Sequence, residues 1–227
     1  MARVFVTREL PFPALERLRE AHEVDEWPGD RPPGSADLLA HTREAEGLLA
    51  LITDRVDAGL LDASPRLRAI ANMGVGTDNI DVQAAKARGI PVGNTPDVLT
   101  DATADLAFAL LLALARRIVP GAEMVRAGEW RTWEPAGDLG ADLAAAVLGI
   151  VGWGRIGQAM ARRAEGFGME IVHSSRTSGV PLGELLERAD FVSLHTPLTP
   201  ETRHLIDAGA LERMKQTALL VNTAREL

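Results

Sequence analysis

The chain has 227 residues, a formal net charge of −8 and no cysteine, which fits one large domain or two small ones and excludes disulfides, Cys-ligated zinc, iron–sulfur clusters and a cysteine nucleophile. The acidic balance disfavours a broad electrostatic grip on nucleic acid or an anionic membrane. The opening MARVFVTRELPF lacks a signal peptide's apolar core, and the longest apolar run, 106–115, is about half a membrane span, so a cytoplasmic protein is expected.

In chain order, the pattern predicts a strand over 3–7 and a helix over 13–21, in which Leu15 and Leu18 are three apart. Residues 27–35, rich in proline and glycine, read as a surface loop. Strands are expected over 47–52, 68–72 and 91–94, with helices over 56–63 and 81–88, the second closed by Gly89. This alternation implies a parallel sheet covered on both faces. A long helix is predicted from 100–101 to Pro120, with Thr100 and Asp101 suited to cap it and Asp105 favourable in its first turn. It is apolar enough to pack between layers. Residues 121–143 read as an irregular arm whose Trp130 and Trp133 suit a core and a dimer contact equally. A second series follows, with strands over 146–151, 169–174, 191–194 and 218–221 and helices over 155–167, 182–188 and 207–214.

The sharpest motif is Gly152-Trp153-Gly154-Arg155-Ile156-Gly157. It follows an apolar strand and opens a helix, the context that gives GxGxxG its meaning. Gly152 permits the tight turn, Gly154 a close backbone approach to pyrophosphate, and Gly157 close helix–strand packing. The helix N-terminus supplies N–H groups and a positive dipole end. The next strand ends His173-Ser174-Ser175-Arg176-Thr177-Ser178, without the carboxylate that would take the ribose hydroxyls of NAD. Hydroxyls beside a guanidinium favour a 2′-phosphate, which puts NADP(H) ahead of NAD(H).

Five stretches together carry a resemblance: NMGVGTDNID (72–81), NTPDVLTDATADLAFALLLALARR (94–117), GIVGWGRIGQAMARRAEGFGM (149–169), ADFVSLHTPLTPETRHLI (189–206) and LLVNTAR (219–225). In them the chain resembles the D-isomer-specific 2-hydroxyacid dehydrogenases, in particular the glyoxylate/hydroxypyruvate reductase branch. The resemblance implies an α/β fold of two doubly wound parallel-sheet domains: a flavodoxin-like lid and substrate domain over 1–99 and an NAD(P)-binding Rossmann domain over 100–227. It implies hydride transfer between a nicotinamide cofactor and a small 2-oxo or 2-hydroxy acid, no metal, no nucleic-acid or membrane partner, and a homodimer.

By position, Val75 and Gly76 correspond to the loop whose backbone N–H groups hold the substrate carboxylate. Thr103, Thr196, Pro197, Thr223 and Ala224 correspond to residues along the cofactor, which the Gly152, Gly154, Arg155, Ile156 and Gly157 turn and the Ser175, Arg176 and Thr177 loop complete. Arg225 corresponds to the catalytic arginine that binds the carboxylate and polarises the 2-oxo group, a role that suits a planar, always charged guanidinium. His195 reads as structural, because the family's proton donor is a histidine further downstream, paired with a glutamate. His22, His41, His173 and His204 have no metal-ligand spacing. The sequence departs from the family in a short 177–181 segment and in Glu226 where the family has glycine. It ends before the downstream Glu and His, so the resemblance implies an incomplete Rossmann domain and little turnover by these 227 residues. The rival expectations are a non-catalytic dinucleotide-binding module and a dead fragment of the same fold.

Overall fold

The computed structural model describes residues 1–10, 13–135, 137 and 139–224. The chain divides into two compact units, Met1–Val98 and Leu99–Leu227.

In the first unit, β1 (Arg3–Val6), β2 (Glu23–Glu26), β3 (Gly47–Leu51), β4 (Ala69–Met73) and β5 (Val92–Gly93) alternate with α1 (Ala14–Ala21), α2 (Ser35–Thr42), α3 (Ala58–Asp62) and α4 (Val82–Ala87). All pairings are parallel and the strand order is β2-β1-β3-β4-β5, the doubly wound order of flavodoxin. Side chains alternate across the sheet. Phe5, Leu48, Ala50 and Ile70 pack with Leu38, Leu61 and Ala85, while Val6 packs with Leu10 and Leu15 on the other face. On β4, Ala69, Ala71 and Met73 remain exposed, so the expected two-sided cover does not extend to this strand. β2 and α2 were not legible in the sequence. β2 reads EVDE, too acidic for an apolar alternation, and is held by its register on β1 and by Arg3 donating to Asp25 at 3.0 Å. α2 begins at Ser35, the last residue of the expected loop.

In the second unit, β6 (Val147–Val151), β7 (Glu170–Ser174), β8 (Phe191–Leu194) and β9 (Leu219–Asn222) form a parallel sheet in the order β7-β6-β8-β9. Its helices are α5 (Thr100–Ala115), α6 (Ile118–Arg126), α7 (Arg155–Glu165), α8 (Leu182–Arg188) and α9 (Ala208–Arg213). The all-apolar β6 is buried on both faces, as a central parallel strand must be. Leu148 and Ile150 pack with Phe108 and Leu111 of α5 and Met160 of α7. Val151 packs on the opposite side with Leu185 and Leu186 of α8. The short segment after β7 forms only an antiparallel bridge between Ser174 and Gly179.

The long helix predicted to run to Pro120 is two helices. Arg117 adopts φ 51°, in the left-handed region, and breaks the run. Pro120 then falls in the first turn of α6, where its missing N–H costs nothing. Thr100 and Asp101 do not cap α5: Leu99 holds that position without a side-chain bond. Asp101 and Asp105 instead accept from Arg163 of α7, at 3.3 and 2.6 Å. α5 also buries only one face. Ala104, Ala107, Phe108, Leu111 and Ala115 are inside, whereas Leu106, Leu110 and Leu114 are exposed. Trp130 and Trp133 are 59% and 76% exposed, which removes the core alternative. No helix among the described residues is long and apolar enough to cross a membrane.

Candidate active site

The second unit assembles its candidate residues at the carboxyl ends of neighbouring parallel strands, the edge at which open α/β sheets take their ligands. Gly152 follows β6 and has φ +99°; a Cβ there would lie 2.5 Å from the His195 carbonyl oxygen. A Cβ on Gly157 would run into the Gly152 carbonyl oxygen. Both glycines are therefore required by the turn itself. Gly154 differs. It is exposed, with φ −77°, and a Cβ there would meet nothing within 4 Å. It precedes α7, whose first turn receives no side-chain cap, so orphan N–H groups stand beside open space. Arg155 is exposed at the start of this helix, and Ile156 is half-buried.

Thr196 follows β8 by two residues and Thr223 follows β9 directly. Each buries its Oγ1 without a hydrogen-bond partner among the described residues. Buried hydroxyls are rarely left unpaired, and two of them at the strand ends beside a dinucleotide turn fit a polar ligand on that edge. Pro197 follows Thr196, and its carbonyl accepts from Thr202 Oγ1 at 2.6 Å. Ala224 donates its N–H to Asn222 at 2.8 Å. Thr103 is half-buried on α5, the fourth residue of the helix rather than its cap. Arg225 lies outside the described residues.

The loop after β7 closes on itself. Ser175 Oγ donates to the Ser178 carbonyl at 2.9 Å and accepts from the Ser178 N–H at 3.0 Å and the Thr177 N–H at 3.4 Å. Arg176 and Thr177 are exposed on its outside. Across from them, the Glu201 carboxyl lies below the usual carboxylate range. A hydrogen bond from Thr199 is the main cause, then its own backbone N–H, with the Arg176 charge adding to both. Sequence reasoning missed Trp153, whose ring stacks on His173 at 4.0 Å and 18°. The x position of GxGxxG carries no signal for such a contact. His195 accepts or donates through Nε2 at 2.9 Å from Ser193 Oγ, and its backbone N–H donates to the Val151 carbonyl at 2.7 Å. Burial pushes its pKa down to about 4.

In the first unit, Val75 and Gly76 lie in the connection after β4. Asn72, at the end of β4, is 2% exposed. Its Nδ2 donates to the Gly76 carbonyl at 2.7 Å and to Asn79 Oδ1 at 3.2 Å. Asn79 Nδ2 returns to Asn72 Oδ1 at 3.3 Å and reaches the Leu51 and Asp54 carbonyls, each at 3.0 Å. Buried Asp54 accepts from Thr7 Oγ1 and, at 2.7 Å, from the Leu51 N–H. These asparagines fall inside the NMGVGTDNID stretch, yet nothing in their spacing marks them as a pair.

Residues 108–226 match the family described as "D-isomer specific 2-hydroxyacid dehydrogenase, NAD binding domain". Glyoxylate reductase of Korarchaeum cryptofilum is 50% identical over 235 residues, covering 98% of this chain and 71% of that protein. The chain belongs to the D-isomer-specific 2-hydroxyacid dehydrogenases. Among solved structures, the TT0316 protein from Thermus thermophilus superposes on this dehydrogenase with a TM-score of 0.93 at 51% identity, covering 98% of this chain and 74% of that one. A glyoxylate reductase from Paecilomyes thermophila gives 0.84 at 30% identity, covering 99% and 74%. The dehydrogenase is thus an oxidoreductase of CH–OH donors with a nicotinamide-binding domain, and the two orphaned threonine hydroxyls and the open Gly154 suit that cofactor.

Proposed function

We propose that this dehydrogenase reduces glyoxylate, and hydroxypyruvate as a second substrate, with NADP(H) preferred to NAD(H). The turn at Gly152, Gly154 and Gly157, with buried Thr196 and Thr223 hydroxyls on the same sheet edge that have no partner among the described residues, is the observation that carries this reading. In it, residues 1–99 are the substrate and lid domain, and residues 100–227 hold the dinucleotide. The α7 N-terminus takes the pyrophosphate, with Gly154 leaving room for it. Thr103, Thr196, Pro197, Thr223 and Ala224 line the remainder of the cofactor, which supplies hydride when bound. The Val75 and Gly76 N–H groups hold the substrate carboxylate. Arg225 orients the 2-oxo group. His195 carries no proton to substrate, since an imidazole with a pKa of about 4 is almost wholly neutral at pH 7. The deciding experiment titrates NADPH and NADH by fluorescence and follows glyoxylate-dependent NADPH oxidation. Failure to bind either dinucleotide overturns the reading; dinucleotide binding with no response to glyoxylate or oxalate, in binding or in turnover, favours a non-catalytic dinucleotide-binding module.

The cofactor preference rests on Arg176 and on the absence of a carboxylate at the end of β7. Ser175 is occupied within its own turn, so its part is to shape the loop that presents Arg176. Glu201 competes for the same guanidinium, and solvent screens it. Arg176→Ala is expected to weaken NADPH by about 5–10-fold, roughly 1–1.4 kcal/mol, and to leave NADH within twofold. Equal NADPH affinity in both proteins removes Arg176 from the site.

A homodimer completes the proposal. Leu106, Leu110 and Leu114 recur every four residues along α5 and stay exposed, and Ile118, Val119, Trp130 and Trp133 add further exposed apolar surface. Solitary exposed apolar residues need no explanation, but a stripe of them indicates an interface. Leu110→Asp should turn a dimer into a monomer by sedimentation velocity, with its circular dichroism spectrum unchanged. A wild-type monomer at micromolar concentration refutes the dimer.

A further inference from the structure

We propose that Asn72 is a positioning residue that holds the Gly76 carbonyl away from the substrate carboxylate and so anchors the far end of the 74–76 loop, whose Val75 and Gly76 N–H groups receive that carboxylate. This rests on the reading that Val75 and Gly76 hold that carboxylate.

All three carbonyls of the loop are already taken by donors of the first unit. The Gly74 carbonyl accepts from the Thr95 N–H at 3.0 Å, the Val75 carbonyl from Asn94 Nδ2 at 2.8 Å, and the Gly76 carbonyl from Asn72 Nδ2 at 2.7 Å. A peptide's N–H points roughly opposite to the carbonyl of the same plane. Tying down the Gly74 and Val75 carbonyls therefore fixes the directions of the Val75 and Gly76 N–H groups, and tying down Gly76 fixes the next peptide. Neither the Val75 nor the Gly76 N–H donates to any acceptor among the described residues. Successive outward N–H groups make an anion cradle.

Among these three donors, Asn72 is the buried one, and its amide is held from both ends. Asn79 exchanges two hydrogen bonds with it and is itself tied to the Leu51 and Asp54 carbonyls. The donor that faces Gly76 cannot rotate away without breaking this pair. Gly74 adds to the fit: a Cβ there would strike Ile52 Cγ2, just past β3, so a larger residue would have to displace that side chain. The carbonyls are thus held by two side-chain amides and the Thr95 backbone N–H.

The test uses the whole chain and oxalate, a two-carbon dianion that cannot be reduced. The amide resonances of Val75 and Gly76 are followed by ¹H–¹⁵N NMR as oxalate is added, and NADPH affinity is measured in parallel. In wild type both amides shift. Asn72→Leu keeps the volume and removes the donor; it should weaken oxalate at least tenfold and leave NADPH within twofold. Asn72→Asp replaces the amide by a carboxyl that donates only when protonated, so its oxalate affinity should match wild type at low pH and fall as pH rises, relative to the wild-type profile. An ionised carboxylate here also repels the dianion whatever its role, so the deciding comparison is at low pH, where the neutral carboxyl can donate to the Gly76 carbonyl and should hold oxalate at least fivefold tighter than Asn72→Leu. If Asn72→Leu does not fold, Asn72→Ala takes its place in that comparison. If the wild-type amides do not move with oxalate, the carboxylate-loop reading fails and this inference fails with it. If they move, and Asn72→Asp at low pH binds oxalate no tighter than Asn72→Leu, or Asn72→Leu binds oxalate normally, the loop reading stands and the role of Asn72 is overturned.

Discussion

Gly154→Ala is expected to fold and to lose at least about 10-fold in dinucleotide affinity, roughly 1.4 kcal/mol, whereas Gly157→Ala is expected to destabilise the second unit by several degrees and to weaken binding with it. The two glycines lie three residues apart in one motif, and their surroundings are opposite. A methyl on Gly154 meets nothing in the protein, and φ −77° suits any residue, so only the modest N-cap preference for glycine over alanine is at stake. The space it fills is the space a pyrophosphate would enter. A methyl on Gly157 strikes the Gly152 carbonyl oxygen, a backbone atom fixed by the turn. Overpacking of this kind costs about 1–3 kcal/mol when side chains can yield, and here backbone must move instead. Gly152→Ala adds left-handed strain at φ +99° to a clash with the His195 carbonyl, which together should cost about 3 kcal/mol or more. For a chain of this size that is a fall of roughly 6–12 °C in the midpoint. Differential scanning fluorimetry and NADPH titration separate the cases. A Gly154→Ala protein that binds NADPH as tightly as wild type would show that the dinucleotide does not lie over that residue, and the reading of the turn would fail.

That contrast marks how far the motif could be read in advance. The order strand, GxGxxG, helix assigns three different tasks to three glycines from sequence alone, and the surroundings of Gly152, Gly154 and Gly157 differ in the same sense. Elements with a strong local signal were equally legible: the apolar β6, and α8 and β8, whose bounds at Leu182–Arg188 and Phe191–Leu194 match the expected ones. What failed was set by partners distant in sequence. β2 is a strand because β1 lies beside it, since its own residues are mostly acidic. The break at Arg117 depends on a left-handed residue that no composition rule predicts for arginine. Asp101 looked like a cap, and Arg163, sixty-two positions later, claims it instead. The asparagine pair at Asn72 and Asn79 was invisible for the same reason: two amides seven residues apart become a unit only when β4 and the following turn bring them together. Thr196 and Thr223 were placed by resemblance alone, and their unpartnered hydroxyls give that placement an independent physical argument.

Acid should destabilise the second unit through His195, and His195→Gln should remove that part of the pH dependence. The ring is largely shielded from solvent, which pushes its pKa down to about 4 from the ordinary 6.5. An unfolded chain therefore takes up this proton at a higher pH than the folded one. Stability from the neutral ring is present in full above about pH 6.5 and is lost as pH falls toward 4, because the unfolded state binds more protons across that window. The shift corresponds to a loss of about 2 kcal/mol by pH 5 and about 3 kcal/mol by pH 4. Ser193 Oγ, 2.9 Å from Nε2, can donate to the neutral ring; a protonated ring would leave that hydroxyl no lone pair to donate to. Protonation would also place a positive charge behind the Gly152 turn, whose close approach is to the His195 carbonyl itself. Urea denaturation of wild type and His195→Gln at pH 7.5 and pH 5.0 measures the term directly, since carboxylates elsewhere contribute equally to both proteins and cancel in the difference. His195→Gln is expected to lose about 2 kcal/mol less than wild type between those two values. Equal losses, or a His195 ring that titrates near pH 6.5 by NMR, would mean that water reaches the imidazole, and would return His195 to the set of groups able to carry a proton at neutral pH.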